Sequence, residues 1–140
     1  MTPIVILTAV NSTSERLNLL VIDDDENVAS TVSLLLSRDH EVISTTDARK
    51  GLEQALTGRF DLIFCDLLMP KLSGMEIYQQ LKAAHPGLED RMVFITGGAT
   101  TPEAQVFLES VQTRLIHKPF SLRQLRERIQ EIRKAFENAP

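Results

Sequence analysis

Several reactive side chains stand directly after apolar runs. Asp66 follows Asp61-Leu62-Ile63-Phe64-Cys65 and precedes Leu67-Leu68-Met69-Pro70, with Gly74 beyond. Asp23-Asp24-Asp25 follows Leu19-Leu20-Val21-Ile22. Thr96 closes Met92-Val93-Phe94-Ile95 and leads into Gly97-Gly98, and Lys118 stands between Leu115-Ile116-His117 and Pro119-Phe120. Crowded carboxylates repel unless a cation sits among them. A hard ion such as Mg²⁺ takes oxygen ligands and keeps several waters. Asp24 and Asp66 are the candidate direct ligands, with Asp23 acting through water. Asp66 is also a candidate nucleophile, since carboxylates form acyl phosphates and Mg²⁺ neutralises charge on a transferred phosphoryl group. The Lys118 ammonium suits pairing with Asp66 or with a phosphoryl oxygen. A cis Lys118–Pro119 bond would aim it inward. Thr96 offers a hydroxyl to such an oxygen, and Gly97 leaves room for the group to enter. The chemistry this implies is metal-assisted phosphoryl transfer.

Each feature also has a plainer explanation. Acids favour a helix N-terminus, and Asp25 and Glu26 are read as serving the helix that follows. Threonine suits strands, glycines suit turns, and most lysines lie on surfaces. The convergence of all four stretches favours the chemical reading.

The elements that must position them alternate from Leu17 onward. Strands are expected at Leu17–Ile22, Glu41–Thr45, Asp61–Cys65, Met92–Thr96 and Arg114–His117. Three of these are nearly continuous apolar runs, as parallel strands covered on both faces require. Helical spacing links Val28, Val32, Leu35 and Leu36, then Ala48, Leu52, Ala55 and Leu56, a stripe that Gly58 should end. It also links Ile77, Leu81 and Ala84 before His85-Pro86-Gly87, and Ala104, Phe107, Leu108 and Val111. The longest stripe is Leu122, Leu125, Ile129, Ile132 and Phe136, with Ser121 and Gln124 as its capping box. Five βα units predict an α/β fold of three layers, a doubly wound five-stranded parallel sheet with helices on both faces. The loops after the strands then share one sheet edge, which gathers Asp23, Asp24, Asp66, Thr96 and Lys118.

Length and composition set the frame. A chain of 140 residues fits one domain with a single adequate core. Its net charge of -4 argues against a nucleic-acid-gripping surface. The single cysteine, Cys65, is expected as a buried small hydrophobe, in keeping with a cytoplasmic location. No apolar run approaches the roughly 18 residues of a membrane span. Pro3–Val10 lacks the basic flank of a signal peptide. Residues 1–16 are read as a leader, linker or extra strand, 17–137 as the domain, and 138–140 as a tail.

The residues Leu-Val-Ile-Asp-Asp-Asp-Glu at 20–26, Asp-Leu-Ile-Phe-Cys-Asp-Leu-Leu-Met-Pro at 61–70 with Gly74, Phe-Ile-Thr-Gly at 94–97 and Lys-Pro-Phe at 118–120 resemble a bacterial response-regulator receiver domain over roughly Leu17–Glu137. The resemblance implies a flavodoxin-like strand order of 2-1-3-4-5. It implies that Asp66 accepts a phosphoryl group from the phosphohistidine of a histidine kinase or histidine phosphotransfer domain. Asp23 and Asp24 would hold Mg²⁺, with help from Asp66 and the Leu68 backbone carbonyl. Thr96 and Lys118 would contact the phosphoryl oxygens, and a downstream protein would read the result.

The sequence departs from that pattern in places. The usual aromatic position, three residues before Lys118, holds Leu115, so the signal is expected to travel through the Gly97–Thr101 loop and the fourth helix. Leu68 and Gly98 occupy positions that influence hydrolysis in the family, and neither side chain can hydrogen-bond a water. A long-lived phosphoryl-aspartate is expected. The stretch Phe94–Ala104 resembles the C-terminal receiver of a hybrid sensor histidine kinase, with a stand-alone regulator as the alternative. On either reading the domain phosphorylates and dephosphorylates itself without being a turnover enzyme. An aspartate-nucleophile phosphohydrolase, with Asp23 and Asp25 as its Asp-x-Asp pair, is a remote alternative, and a binding-only domain another. The last helix alternates Arg123, Arg126, Arg128 and Arg133 with Glu127 and Glu131. These serve either cross-subunit pairs of a weak homodimer or internal pairs of a monomer, the second being favoured.

Overall fold

The structure is a computed structural model that describes residues 16–97, 101–111 and 114–137. Its strands are β1 (Asn18–Ile22), β2 (Glu41–Thr45), β3 (Leu62–Asp66), β4 (Met92–Thr96) and β5 (Leu115–His117). Its helices are α1 (Glu26–Leu36), α2 (Ala48–Thr57), α3 (Gly74–Ala84), α4 (Pro102–Ser110) and α5 (Leu122–Glu137). A 3-10 turn, Leu88–Arg91, which the hydrophobic pattern does not reveal, leads into β4.

All strand pairs are parallel, in the order β2-β1-β3-β4-β5. Alternation along each strand divides the interior into two layers. Leu20, Ile22, Ile63, Cys65 and Phe94 face α2, α3 and α4 through Ala55, Ile77, Leu81, Ala104 and Leu108. Leu19, Val21, Phe64, Ile95 and Ile116 face α1 and α5 through Val32, Leu36, Leu125, Ile129 and Ile132. Burying each such Leu, Ile or Phe is worth about 1.5–3 kcal/mol, so a register slip in β1, β3 or β4 is prohibitive. β2 is the exposed edge, with Ile43 half in solvent.

Strand ends differ from the sequence expectation by one residue. Asp61 lies outside β3: its Oδ2 accepts the Asn18 amide at 2.7 Å and its own amide donates to the Asn18 carbonyl. Asp66 is instead the last residue of β3, opposite Ile95. Leu17 and Arg114 precede β1 and β5, and the Arg114 guanidinium pairs with Asp90 at 3.0 Å. Ala84, expected on the core stripe of α3, is exposed, because the helix ends there and the chain turns away at His85. The Ser121–Gln124 capping box is present, Ser121 Oγ accepting the Gln124 amide at 3.1 Å and Gln124 Oε1 the Ser121 amide at 2.8 Å. Gly58 does end α2, with extended backbone. Charges of α5 pair within the chain, Arg123 with Glu127, Arg128 with Glu131 and Arg126 with Asp39, and Arg133 is buried. Residues 1–15, Gly98 and the Phe136 side chain lie outside what the structure describes.

Candidate functional site

β1 and β3 are neighbours, with Ile22 opposite Cys65, so the residues that follow, Asp23 and Asp66, come to the same edge. β4 lies beside β3 and β5 beside β4, with Thr96 opposite His117. The Lys118 amide donates to the Thr96 carbonyl at 2.8 Å, which extends that pairing to the lysine. The Lys118–Pro119 bond is cis.

Side chains converge at this edge. Carboxylate oxygens of Asp23, Asp24 and Asp66 lie within 4.8 Å of one another. The Lys118 ammonium is 3.5 Å from Asp23 Oδ2 and 3.8 Å from Asp66 Oδ1. Asp23 and Asp66 are buried and Asp24 is exposed. Asp23 Oδ1 accepts the Asp25 amide at 2.9 Å, whereas Oδ2 is buried with no hydrogen bond. With only the Lys118 ammonium at 3.5 Å to balance it, this acceptor has room for a closer cation. Together with the three-oxygen cluster, it fits a hard divalent ion. Asp23, expected to act through water, is the innermost carboxylate of the three. Asp25 takes no part, since its Oδ1 accepts the Asn27 and Val28 amides and caps α1.

The electrostatics follow from burial. Burial first, then the Asp23 charge, raises the Asp66 carboxyl to about 7, against the opposing pull of Lys118. Burial also raises Asp23, opposed by the Asp25 amide and Lys118. Cys65, wholly buried beneath the site, has its thiol pushed up by burial and by Asp66 and Asp23.

The loop after Asp66 is held by Gly74, whose amide donates to the Leu67 carbonyl at 2.8 Å. A Cβ at Gly74 would lie 2.6 Å from the Asp66 carbonyl oxygen and 3.0 Å from Leu67 Cα, both rigid backbone. Glycine is therefore required by close approach, a reason that spacing alone does not reveal. Ser73 Oγ and the Glu76 side chain cap α3 reciprocally. Lys71 turns the loop at φ 70, with the Leu72 amide donating to the Pro70 carbonyl at 2.7 Å. Leu68 projects partly into solvent. Thr96 is buried, and a Cβ at Gly97 would meet no atom within 4 Å. Leu115 is buried opposite Phe94, whose ring meets Phe107 edge-on at 5.0 Å. Phe107 in turn meets Tyr78 at 5.1 Å. The aromatic packing at this place thus comes from β4, α4 and α3.

Comparison with known proteins agrees with this geometry. The family model described as "Response regulator receiver domain" matches residues 19–130. The transcriptional regulatory protein DltR of Streptococcus agalactiae is 32% identical over 114 residues, 81% of this chain and 50% of that protein. The response regulator ArlR of Staphylococcus saprophyticus is 30% identical over 112 residues, 79% of this chain and 50% of its own length. The chain thus spans about half the length of these curated relatives. Among solved structures, a CheY-like response regulator receiver domain protein from Methanospirillum hungatei superposes with a TM-score of 0.75 at 26% identity, covering 88% of this chain and 98% of that one. The receiver domain of a sensor histidine kinase from Pseudomonas aeruginosa, solved with a magnesium ion coordinated in its active site cleft, gives a TM-score of 0.74. It is 19% identical, with coverage of 85% and 98%, and is similar in fold alone.

Proposed function

The chain belongs to the response-regulator receiver domain family, and from that premise we propose that Asp66 is its phosphoacceptor, fed by the phosphohistidine of a histidine kinase or histidine phosphotransfer domain. The observation that carries this is the convergence of three carboxylates within 4.8 Å beside a lysine ammonium at 3.5 Å. An Asp66 carboxylate oxygen attacks phosphorus, a P–O bond forms, and the P–N bond breaks with its electron pair returning to the imidazole. Lys118 stands where it can follow charge from the Asp66 carboxylate to a phosphoryl oxygen, and the Thr96 hydroxyl serves a second oxygen. The open space beside Gly97 admits the group. Asp23, Asp24 and Asp66, with the Leu68 carbonyl, are the residues that would hold Mg²⁺, which when bound neutralises charge on the transferring phosphoryl oxygens.

The output we infer is a change in the loop after β4 and in α4, read by a protein partner and sensed through the packing of Leu115. Between Gly97 and Thr101 that loop lies outside the described residues. The hydrolase alternative is disfavoured because Asp25, its required acid, is committed to capping α1. The curated relatives DltR and ArlR are regulators, and they favour a regulator as the parent protein. A second reading, the C-terminal receiver of a hybrid kinase, rests on the stretch Phe94–Ala104. No helix among the described residues is long and apolar enough to cross a membrane.

Incubation with Mg²⁺ and acetyl phosphate, followed by intact-mass measurement, tests the assignment. Gain of one phosphoryl group, lost in Asp66→Asn and with a chelator, supports it. A gain that survives Asp66→Asn refutes it.

A further inference from the structure

The sheet edge opposite Asp66 carries a second cluster that the phosphoryl chemistry does not use. Arg16 leads into β1, Arg38 and His40 lie between α1 and β2, and Arg126 comes from α5. With Ile129 and Gln130 they line a cleft of about 520 Å³, within the range of small-molecule sites. The arrangement is held in place. The Arg16 guanidinium donates to the Arg38 carbonyl at 3.3 Å, the His40 carbonyl at 3.2 Å and Glu41 Oε2 at 2.9 Å. Arg126 donates to Asp39 Oδ2 at 3.1 Å. His40 Nδ1 accepts the Leu17 amide at 3.1 Å, which leaves its ring proton on Nε2 as a further donor. The Arg38 guanidinium has no hydrogen bond or ion pair among the described residues.

Arg16 is paired with Glu41 and Arg126 with Asp39, which leaves the Arg38 charge as an excess of one at the cleft, on a chain whose net charge is -4. Guanidinium forks from three separate stretches of the chain offer more donors than Asp39 and Glu41 accept, and they match the tetrahedral oxygens of phosphate. The cleft is larger than a phosphate, which leaves room for an organic remainder.

We propose that this cleft binds a small phosphate-bearing dianion, a phosphomonoester or a diphosphate. The test is an NMR titration of the full chain with sodium pyrophosphate, in metal-free buffer at constant ionic strength, with sodium malonate as a dicarboxylate control. The expected result is saturable shifts at the amides of residues 38–41 and 126–130, and about tenfold weaker binding in Arg38→Gln. That variant removes no contact within the fold, and phosphorylation of its Asp66 by acetyl phosphate should be unchanged. Absence of saturable shifts, undiminished binding in Arg38→Gln, or malonate binding as tight as pyrophosphate would each overturn the proposal.

Discussion

The Lys118 ammonium stands 3.5 Å from Asp23 Oδ2, nearer than the 3.8 Å that separates it from Asp66. In the metal-free protein it is therefore chiefly the counter-ion of the buriedmost acid, and it competes with any cation for that oxygen. Lys118→Met should destabilise the metal-free protein by roughly 1–3 kcal/mol, since it strands buried carboxylates. It should also tighten Mg²⁺ binding. Urea denaturation with and without Mg²⁺ measures both, and a variant with weaker Mg²⁺ binding would contradict the argument.

The Asp66 carboxyl, raised to about 7, predicts a distinctive pH dependence. Between the ordinary carboxylate value near 3.8 and about 7 the folded protein holds a proton that the unfolded chain has released. This group's contribution to stability is therefore present at low pH and lost as pH rises through about 7. Asp66→Asn removes the loss. It should stabilise the metal-free protein at pH ~8 by on the order of 1–3 kcal/mol, with the gap closing toward pH ~5. Thermal melts across that range check the sign.

Gly74→Ala places a methyl group 2.6 Å from the Asp66 carbonyl oxygen. α3 must move away from the end of β3, at a cost of about 1–3 kcal/mol. Phosphorylation by acetyl phosphate should slow as well, because the displaced backbone carries the acceptor. Equal stability and an equal rate would show that the helix is not fixed against the loop.

Leu68, partly exposed beside the acceptor, cannot orient a water through its side chain. Leu68→Asn supplies that hydrogen bond and should shorten the lifetime of phosphoryl-Asp66 by about tenfold, the kinetic equivalent of one modest hydrogen bond. Loss of the phosphorylated mass with time measures it, and an unchanged lifetime would count against the assignment.

Cys65 is fully buried, and its thiol is held protonated by burial and two neighbouring acids. A thiol reagent added to the native protein at pH ~8 should react only on the timescale of unfolding. Fast labelling would mean that the centre of the sheet opens locally.

The doubly wound fold and the convergence of five candidate residues at one sheet edge were legible because burial and chemistry leave separate marks. Leu19–Ile22, Leu62–Cys65 and Met92–Ile95 are unbroken apolar runs, and each leads into a polar residue that no core would want. The ends of elements were less legible. Asp61 and Asp66 bracket the same run, and only the pairing of Asp61 with Asn18 decides which acid the strand includes. The burial order of Asp23 and Asp24 was hidden too, as neighbours in sequence point to opposite sides of a strand end. Cleft residues such as Arg38 and Arg126 lie far apart in the chain, and their meeting depends on α5 sharing a face of the sheet with α1.

Because Ile22 and Cys65 are register partners, the separation of Asp23 and Asp66 is inherited from the spacing of hydrogen-bonded strands, about 4.8 Å. Backbone geometry, more than side-chain reach, acts as the ruler for the acidic pair. Rotamer changes or loop substitutions can tilt the carboxylates but cannot pull their anchors apart. The two acids part company only when the middle of the sheet itself comes undone.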